Sequence, residues 1–456
     1  MKAHRILLVV LCLALVFAAL GVQAQDDNMN PATFGLAEGK PYDGITLKFL
    51  ICCNTAQQFA LLDKMTAEEF TPMTGITVEW GDVPFGTYQE TLYLEASNPN
   101  TEYDLAAWVD AWGTNIKDFL YPLNDFVAQY DIDMSDYSPA YVGASTMGTV
   151  GTDNEIIYGL PFRGHPQILY YRSDVLAELG MEPPATWQDV TRMGEAMKAA
   201  GMEIEPISMY YGLNVDQNLF NWYSHLWGAG TDLFDENWEP TFNNEIGYEA
   251  TVQYLSYLRD GYTAEQSTTL NEGDAWQEVL DGRAATYVGW WWRYSSMLGS
   301  AVPEVANNAG IAPAPGWEGG ETASYGYLWP VGVFAQSENV EASLQFLRWL
   351  THPITELRSV SNETGDPAYD NNVAVRFSVL RDPNYNERFN NLGNVAADIL
   401  ANARTIPLIP EYTEMIPVLS EAINEMAVDP NADIQGVLDR AAEDVRDIMD
   451  SAGYYD

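Results

Sequence analysis

Residues 45–51, Ile-Thr-Leu-Lys-Phe-Leu-Ile, begin with alternating apolar and polar side chains and therefore predict a β-strand. Further elements follow in regular alternation: a helix over 56–71, a strand over 76–80, a helix over 86–97 and a more buried strand over 104–109. Strands that alternate with helices build parallel sheets. This part of the chain therefore predicts a protein of the α/β class.

The rest of the chain continues the alternation. Thr186 and Asp189 form a capping-box pattern that begins a helix, and Gly201 ends it. Later predicted elements are a helix over 243–260, a strand over 284–288, a helix over 339–351 and a last helix over 432–451 with one apolar stripe. Neither a short internal repeat nor a low-complexity linker separates these segments. We therefore expect two α/β lobes of similar size.

The charge of the chain restricts its partners. Its 456 residues include 65 acidic and 21 basic ones, for a formal net charge of −44. At roughly 100–200 residues per domain, this length predicts two to four domain equivalents. The acidic surface repels phosphate backbones and anionic lipids, which argues against nucleic-acid binding. The ligand should be neutral or cationic, or it should meet a local site that overrides the overall field.

The first 24 residues predict a signal peptide. Lys2 and Arg5 precede an apolar run over 6–20, which is short for a membrane-spanning helix, and small residues stand before a cleavage site after Ala24. Cys12 lies within the apolar run and lacks the small-residue pattern of a lipid-modified cysteine. We expect a secreted or periplasmic protein without a lipid anchor.

Two cysteines remain after this cleavage, Cys52 and Cys53. Adjacent cysteines cannot join distant segments, so packed cores must stabilise the fold. One possibility is a pair of thiols beside a strand, facing opposite sides. The other is a disulfide between neighbours at the wall of a cleft.

Several catalytic signatures are missing from the sequence. It has no glycine-rich phosphate loop, no G-x-S-x-G nucleophile elbow and no H-E-x-x-H zinc helix. The histidines beyond residue 24, His165, His225 and His352, are too widely spaced to suggest a metal cluster. We therefore expect neither a cofactor nor a metal ion, and we expect no enzymatic activity.

Aromatic residues are abundant, with 14 Trp, 27 Tyr and 16 Phe. Many tryptophans stand where strands should end, which in open α/β sheets is where ligands bind. They are Trp108, Trp112, Trp222, Trp227, Trp290, Trp291 and Trp292. A flat ring suits the C–H face of a sugar, while carboxylates, arginines and amides bind its hydroxyls. The alternative is that these tryptophans fill cores or contacts between lobes.

An ordered set of motifs resembles one protein family. The run G-L-P-F-R-G-H-P-Q-I-L-Y-Y-R-S-D-V-L at 159–176, followed by E-P-P-A-T-W-Q-D-V at 182–190, resembles the crossing segment of the extracellular solute-binding proteins of family 1, the group that contains maltose-binding protein. Further matches keep the family's order: 104–112, 228–234, 282–292, 326–337 and 404–412. The resemblance covers nearly the whole chain beyond residue 24.

This resemblance implies a two-lobed periplasmic-binding-protein fold, type II-like, that closes by a hinge movement on a ligand in the cleft between its lobes. After the signal peptide at 1–24, the N-terminal lobe would comprise residues 25–162 and 311–355. The C-terminal lobe would comprise residues 163–310 and 356–456. The chain would cross between lobes near Arg163, Ile311 and Thr355.

The resemblance also implies candidate ligand-binding residues in the segment after the third strand, in the crossing segment and in the aromatic run after Gly289. They are Trp108, Asp110, Trp112, Arg163, His165, Gln167 and Trp291 or Trp292. Further candidates are Trp222 from a second tryptophan cluster, Arg293 and Arg376 at predicted cleft edges, and Asn54 and Gln57 in the loop after the first strand. Relatives often have an acidic or amide group where this sequence has His165. Each of the three arginines can bind ligand, or it can be neutralised by an acidic neighbour.

The resemblance implies the carbohydrate-binding component of an ATP-driven ABC importer, a monomer that meets membrane permease subunits and binds a mono- or oligosaccharide. Two alternatives remain open. One is the same fold binding a polyol, a peptide or an organic acid. The other is an extracellular carbohydrate hydrolase that uses a pair of carboxylates.

Overall fold

Ten β-strands lie in the part of the chain that the computed structural model describes, which is residues 29–53, 58–147, 154–320, 322–366, 369 and 373–455. The strands are β1 (Thr46–Cys52), β2 (Thr77–Val83), β3 (Leu105–Ala107), β4 (Thr146–Met147), β5 (Ile156–Ile157), β6 (Leu160–Arg172), β7 (Glu205–Ile207), β8 (Ala284–Trp290), β9 (Ala309–Pro313) and β10 (Gly326–Val333). The signal peptide predicted at 1–24 lies outside the described residues.

Eight of these strands form one sheet that both lobes share. Its order is β2-β1-β3-β10-β6-β8-β7, with β9 also paired to β6. β1 runs parallel to β2 and β3, as the alternating pattern predicts, and β7 runs parallel to β8. The long strand β6 pairs with β10 through its first half and with β8 and β9 through its second half. The mixed sheet and its shared strand confirm the α/β class.

We call the part around β1–β3 and β10 the first lobe, and the part around β7–β9 the second lobe. Two of the predicted lobe limits fall inside elements. Ile311 lies in β9 and pairs with Tyr170 in the second half of β6, so the return crossing comes between β9 and β10. Thr355 lies in a helix, Pro353–Ser361, that is tied to the first lobe by Arg358, whose Nη1 lies 2.6 Å from Glu69.

Helices cover both lobes. In the first lobe they are Ala60–Met65, continued by a π-turn at Thr66–Phe70 and by Thr71–Thr74, then Phe85–Ser97, Gly113–Ile116, Asn124–Gln129, Pro139–Ser145, Val340–Leu350 and Pro353–Ser361. In the second lobe and the C-terminal part they are Ser173–Leu179, Trp187–Ala200, Phe220–Ala229, Glu245–Arg259, Glu272–Leu280, Tyr294–Leu298, Pro303–Ala306, Phe377–Leu380, Pro383–Arg388, Leu392–Leu400, Tyr412–Val428 and Ile434–Ser451. Among the described helices, none has both the length and the apolar character needed to cross a bilayer.

Local signals set these boundaries. The Thr186 hydroxyl accepts from the Asp189 N–H at 3.1 Å, and the Asp189 carboxylate accepts from the Thr186 N–H at 2.9 Å, which confirms the predicted capping box. Gly201 ends that helix with a φ of 71°, a left-handed conformation that glycine adopts without a steric penalty. The helix predicted over 339–351 spans Val340–Leu350, and Pro353 begins the next helix.

The two adjacent cysteines lie at the end of β1. Cys52 is the last residue of the strand, and its sulfur is bonded to that of Cys53 as a disulfide between neighbours. Cys53 has a φ of 78°, which is unusual for a residue that carries a side chain. Of the two arrangements that the sequence left open, the structure has the disulfide.

Candidate functional site

A cavity of about 390 Å³ lies between the two lobes. The first lobe lines it with Phe85, Gln89, Val109 and Trp112. The second lobe and the helix Tyr412–Val428 line it with Leu213, Asn214, Val215, Asp216, Thr413, Ile416, Pro417, Ser420 and Glu421, and Tyr327 of β10 completes it. The wall is thus apolar and aromatic with a few polar groups, the usual composition of a small-molecule site.

The topology of the sheet places these residues at the cavity. Phe85 follows β2, the segment Val109–Trp112 follows β3, and the segment 213–216 follows β7. Carboxyl ends of parallel strands meet at the edge of an open α/β sheet where ligands bind. The same rule operates in both lobes, so the two edges face one another across the cavity.

Two rows of side chains on adjacent strands lie at the base of the cleft, and of these Tyr327 lines the cavity. Tyr325, Tyr327 and Trp329 follow one another at every second position around β10, with neighbouring ring centroids 5.6 and 6.4 Å apart. On β6, Arg163 pairs with Trp329 and His165 pairs with Tyr327. Since side chains two residues apart share a face of a strand, the second row is Arg163, His165 and Gln167.

Two carboxylates stand on the β10 side of this base. Asp110 is buried and accepts hydrogen bonds from the Tyr325 hydroxyl and from the Ala111 N–H at 2.8 Å. Burial raises the pKa of Asp110 to about 7 and that of Asp216, on the cavity wall, to about 6. Within the described residues neither carboxylate has a lysine or arginine as an ion-pair partner. Asp216 lines the cavity and can accept hydrogen bonds from ligand hydroxyls, whereas Asp110 is buried behind the wall.

The β6 side of the base carries the opposite charge. The guanidinium of Arg163 lies over the rings of Phe59 and Trp329, 5.4 and 5.7 Å from their centroids. Burial lowers the pKa of Arg163 to about 10. Burial also holds the pKa of His165 well below its usual value, and the nearby Arg163 and Arg293 act in the same direction. His165 is therefore a neutral imidazole at neutral pH.

The other predicted tryptophans occupy different environments. Trp112 lines the cavity, whereas the ring of Trp108 fills the space beside Gly159 and Gly332 in the first lobe. Buried Trp222 donates its indole N–H to Thr251 at 2.9 Å, and buried Trp291 donates to the Gly164 carbonyl at 2.9 Å. Trp292 is half-buried beneath the guanidinium of Arg293, whose carbon lies 4.6 Å from a ring centroid of Trp292.

Three further predicted residues have protein partners. Arg293 forms a salt bridge with Glu272, and Gln167 donates to Asn221 at 3.1 Å. Arg376 lies apart from the cavity wall, where it donates to the Thr351 carbonyl and stacks over Tyr137. Asn54 and Gln57 lie outside the described residues. A role in ligand binding stays a prediction for every residue of the set.

The sequence reasoning missed much of the cavity wall. It did not find Phe85, the segment 213–216 or the segment Thr413–Glu421. The signal for the first two was available, because both follow predicted or short strands and the rule about strand ends applies to them as it does to Trp112. The helix Tyr412–Val428 carries no such signal, since it reaches the cavity from a part of the chain far from any cleft strand.

Comparison with known proteins agrees with this geometry. The maltose-bound MalE3 of T. maritima is similar in structure, with a TM-score of 0.75 at 21% identity over 89% of this chain and all of that one. A model of the bacterial extracellular solute-binding proteins matches residues 54–354, more than half of the chain. The chain belongs to this family. The resemblance found in the crossing segment and the two-lobed fold that it implied are therefore confirmed.

Curated members of this solute-binding family extend the comparison. A probable amino-acid ABC transporter periplasmic-binding protein of Sinorhizobium fredii is 21% identical over 84% of this chain and 85% of its own. The mannitol-binding protein of Pseudomonas aeruginosa is 28% identical over 60% of this chain and 62% of its own. In the part of the chain that is described, no group of three or more His, Cys, Asp or Glu side chains is arranged to hold a metal ion.

Proposed function

We propose that this protein is the exported ligand-binding component of an ABC importer and that it binds a carbohydrate or a sugar alcohol between its lobes. One observation carries the proposal: the inter-lobe cavity combines aromatic walls with hydrogen-bonding groups. Phe85, Trp112 and Tyr327 offer rings, while Gln89, Asn214, Asp216 and Ser420 offer amide, carboxylate and hydroxyl groups. Rings pack against the C–H face of a pyranose, and the polar groups bind its hydroxyls.

The size of the cavity supports a small ligand. A volume of about 390 Å³ falls at the lower end of the roughly 300–1,000 Å³ that small-molecule sites occupy. It suits a monosaccharide, a disaccharide or a linear sugar alcohol better than a folded peptide. Two relatives have names that agree with such a ligand, a mannitol-binding protein and an arabinooligosaccharide-binding protein, whereas the relative from Sinorhizobium fredii is named for amino-acid transport.

Binding would be coupled to closure of the lobes. The strands β6 and β10 pair with one another at the base of the cleft, so bending there changes the distance between the lobes. A ligand that contacts both walls stabilises the closed form and shifts the equilibrium towards it. Permease subunits would then recognise the closed surface, which places the chemistry of transport outside this chain.

The mature protein would be an unlipidated monomer outside the cytoplasm, with its signal peptide cleaved after Ala24. Intact-mass measurement of the exported protein tests the cleavage and the absence of lipid, and light scattering of the same protein tests the monomer. We expect the mass of a chain that begins at Gln25 and carries no acyl group. A mass that retains the leader, or one that carries lipid, contradicts this part of the proposal.

A thermal-shift screen of the mature protein tests the ligand class, because a ligand raises the melting temperature in proportion to RT ln(1 + [L]/Kd). The panel contains neutral sugars, sugar alcohols, peptides and organic acids. We expect at least one sugar or sugar alcohol to stabilise the protein and to be recovered chemically unaltered. Stabilisation by peptides alone contradicts the carbohydrate assignment, and release of a product identifies a hydrolase instead.

A further inference from the structure

Arg163 differs from the other arginines of the described chain. Each of the others donates to a carboxylate or a carbonyl oxygen, as Arg293 does to Glu272 and Arg348 to the Phe34 carbonyl. The guanidinium of Arg163 forms neither a hydrogen bond nor an ion pair with any described residue. It lies over the faces of Phe59 and Trp329.

This isolation is informative because of the charge of the chain. With 65 acidic residues and 21 basic ones, a carboxylate without a basic neighbour is expected, but an arginine without an acidic neighbour is not. A guanidinium carries five N–H donors in a planar fork and no acceptor. The guanidinium lies on apolar rings and remains partly exposed, so its donors must be satisfied by water or by a ligand. A ligand with an acidic group would replace that water and supply the counter-charge that the chain does not.

The surroundings of Arg163 reinforce this conclusion. His165, which follows it on the same face of β6, is almost fully buried, and its Nδ1 has no hydrogen-bond partner among the described residues. Tyr327 both lines the cavity and lies close enough to Arg163 for the two to interact electrostatically. The guanidinium of Arg163 and the Nδ1 of His165 thus stand unpartnered on β6, beside Tyr327, and Arg163 remains partly exposed there.

Groups of opposite charge surround Tyr327. Burial raises the pKa of Tyr327, Asp216 and Asp110 raise it further, and Arg163 acts in the opposite direction. A ligand that carries both hydroxyls and an acidic group would match groups of both charges. A wholly neutral sugar can donate to Asp216 and can accept from Arg163, but it leaves the guanidinium charge uncompensated.

We infer that the ligand carries a carboxylate that pairs with Arg163, so that the ligand class is an acidic sugar such as a uronic or aldonic acid. The inference rests on the proposed carbohydrate-binding function and names the chemistry of that same site. A carboxylate can accept two parallel N–H···O bonds from the guanidinium fork, which gives both strength and a fixed orientation. The attraction between Arg163 and the ligand carboxylate also offsets the repulsion that the acidic surface exerts on an anion.

Matched pairs of probes test this inference by calorimetry: glucose with glucuronate, galactose with galacturonate, and glucitol with gluconate, with succinate as an acid that is not a sugar. The proteins are the wild type, Arg163→Gln and Arg163→Lys, and Arg381→Gln is the control because it removes the same charge from an exposed surface salt bridge.

We expect at least one acid to bind about tenfold or more tightly than its neutral partner. Arg163→Gln should abolish that preference, Arg163→Lys should keep part of it, and Arg381→Gln should leave it unchanged.

The outcomes separate this inference from the proposed function. If the neutral sugars bind as tightly as the acids or more tightly, the inference of an acidic ligand is wrong and the carbohydrate function still stands. The same conclusion follows if Arg163→Gln keeps the preference for the acid. Binding of succinate alone, lost in Arg163→Gln, supports the pairing with Arg163 but contradicts a sugar. An absence of binding by every probe counts against both. If Arg163→Gln does not fold, the wild-type pairs and Arg163→Lys still decide the question.

Discussion

The hydroxyl oxygen of Tyr325 lies 3.1 Å from one carboxylate oxygen of Asp110 and 3.2 Å from the other. This contact joins the segment that enters β10 to the segment that leaves β3, at the base of the cleft. Asp110 is buried and has no cationic partner among the described residues, and burial raises its pKa to about 7. The pair therefore couples the stability of the cleft base to pH.

Replacement of Asp110 by Asn should remove part of the pH dependence of stability. An unfolded aspartate has a pKa of about 3.9, whereas that of folded Asp110 is about 7, so the folded state binds this proton more tightly. The proton on Asp110 stabilises the folded state fully below about pH 4. This stabilisation, roughly 2–4 kcal/mol of unfolding free energy, is lost as the pH rises to about 7. Asp110→Asn cannot ionise, so its free energy of unfolding should fall less over that range.

Urea denaturation across that pH range measures this effect. Glu443→Gln is the charge-matched control, because Glu443 is exposed on the last helix. We expect the unfolding free energy of Glu443→Gln to depend on pH as that of the wild type does. If the unfolding free energy of Asp110→Asn depends on pH as steeply as that of the wild type, the buried carboxylate does not titrate as described.

Phe85→Ala should weaken ligand binding while leaving the fold intact. Phe85 lines the cavity and is partly exposed at the start of the helix Phe85–Ser97, so truncation removes mainly contact with ligand. The expected loss is roughly 1–2 kcal/mol of binding free energy, judged from the burial of an apolar side chain. Leu94→Ala changes an exposed apolar residue on the same helix that does not line the cavity. Calorimetric titration should show weaker binding for Phe85→Ala alone, and equal affinities would remove Phe85 from the site.

Trp291→Ala should lower stability rather than change ligand contacts directly. Trp291 is fully buried, and its indole N–H bonds to the Gly164 carbonyl of β6. Truncation of a buried tryptophan to alanine typically costs about 3–5 kcal/mol of unfolding free energy. Chemical denaturation measures this loss. A stable variant whose ligand affinity has collapsed would instead make Trp291 a ligand-stacking residue.

Val215→Gly should be tolerated better than an ordinary valine-to-glycine change. Val215 lies on the cavity wall with a φ of 54°, a left-handed conformation that costs a β-branched residue roughly 1–2 kcal/mol. Glycine relieves this strain, which offsets the entropy that it adds to the unfolded chain. Val428, equally exposed at the end of a helix, is the control. Val428→Gly should destabilise the protein by more than Val215→Gly does, and the reverse order would contradict strain at Val215.

The fold was largely predictable from the sequence, for reasons that the elements show. The capping box at Thr186 and Asp189 is a local interaction, so its pattern alone placed the start of that helix. The alternation in 45–51 and the spacing in 432–451 likewise reflect which side chains face a core. The lobe limits near Ile311 and Thr355 stay predictions, because they depend on long-range contacts such as the pairing of β9 with β6 and the Arg358–Glu69 salt bridge.

The cleft was less predictable than the fold. Trp112 and Trp291 both follow strands, yet Trp112 lines the cavity and Trp291 fills the core. The sequence does not tell on which side of a strand end a tryptophan lies. Arg293 and Arg376 stood at predicted cleft edges, but Glu272, Asp136 and Glu356 neutralise them. Only the folded chain distinguishes these arginines from Arg163.

The most direct test of the central claim identifies the compound that the protein carries. Protein exported from its native source is purified without denaturation and then unfolded, and the released small molecule is identified by mass spectrometry beside an identically treated Phe85→Ala sample. The proposed function predicts a sugar or sugar alcohol, chemically intact, at up to one molecule per chain and depleted in the variant. Release of a peptide or an amino acid, in an amount that Phe85→Ala lowers, would contradict it.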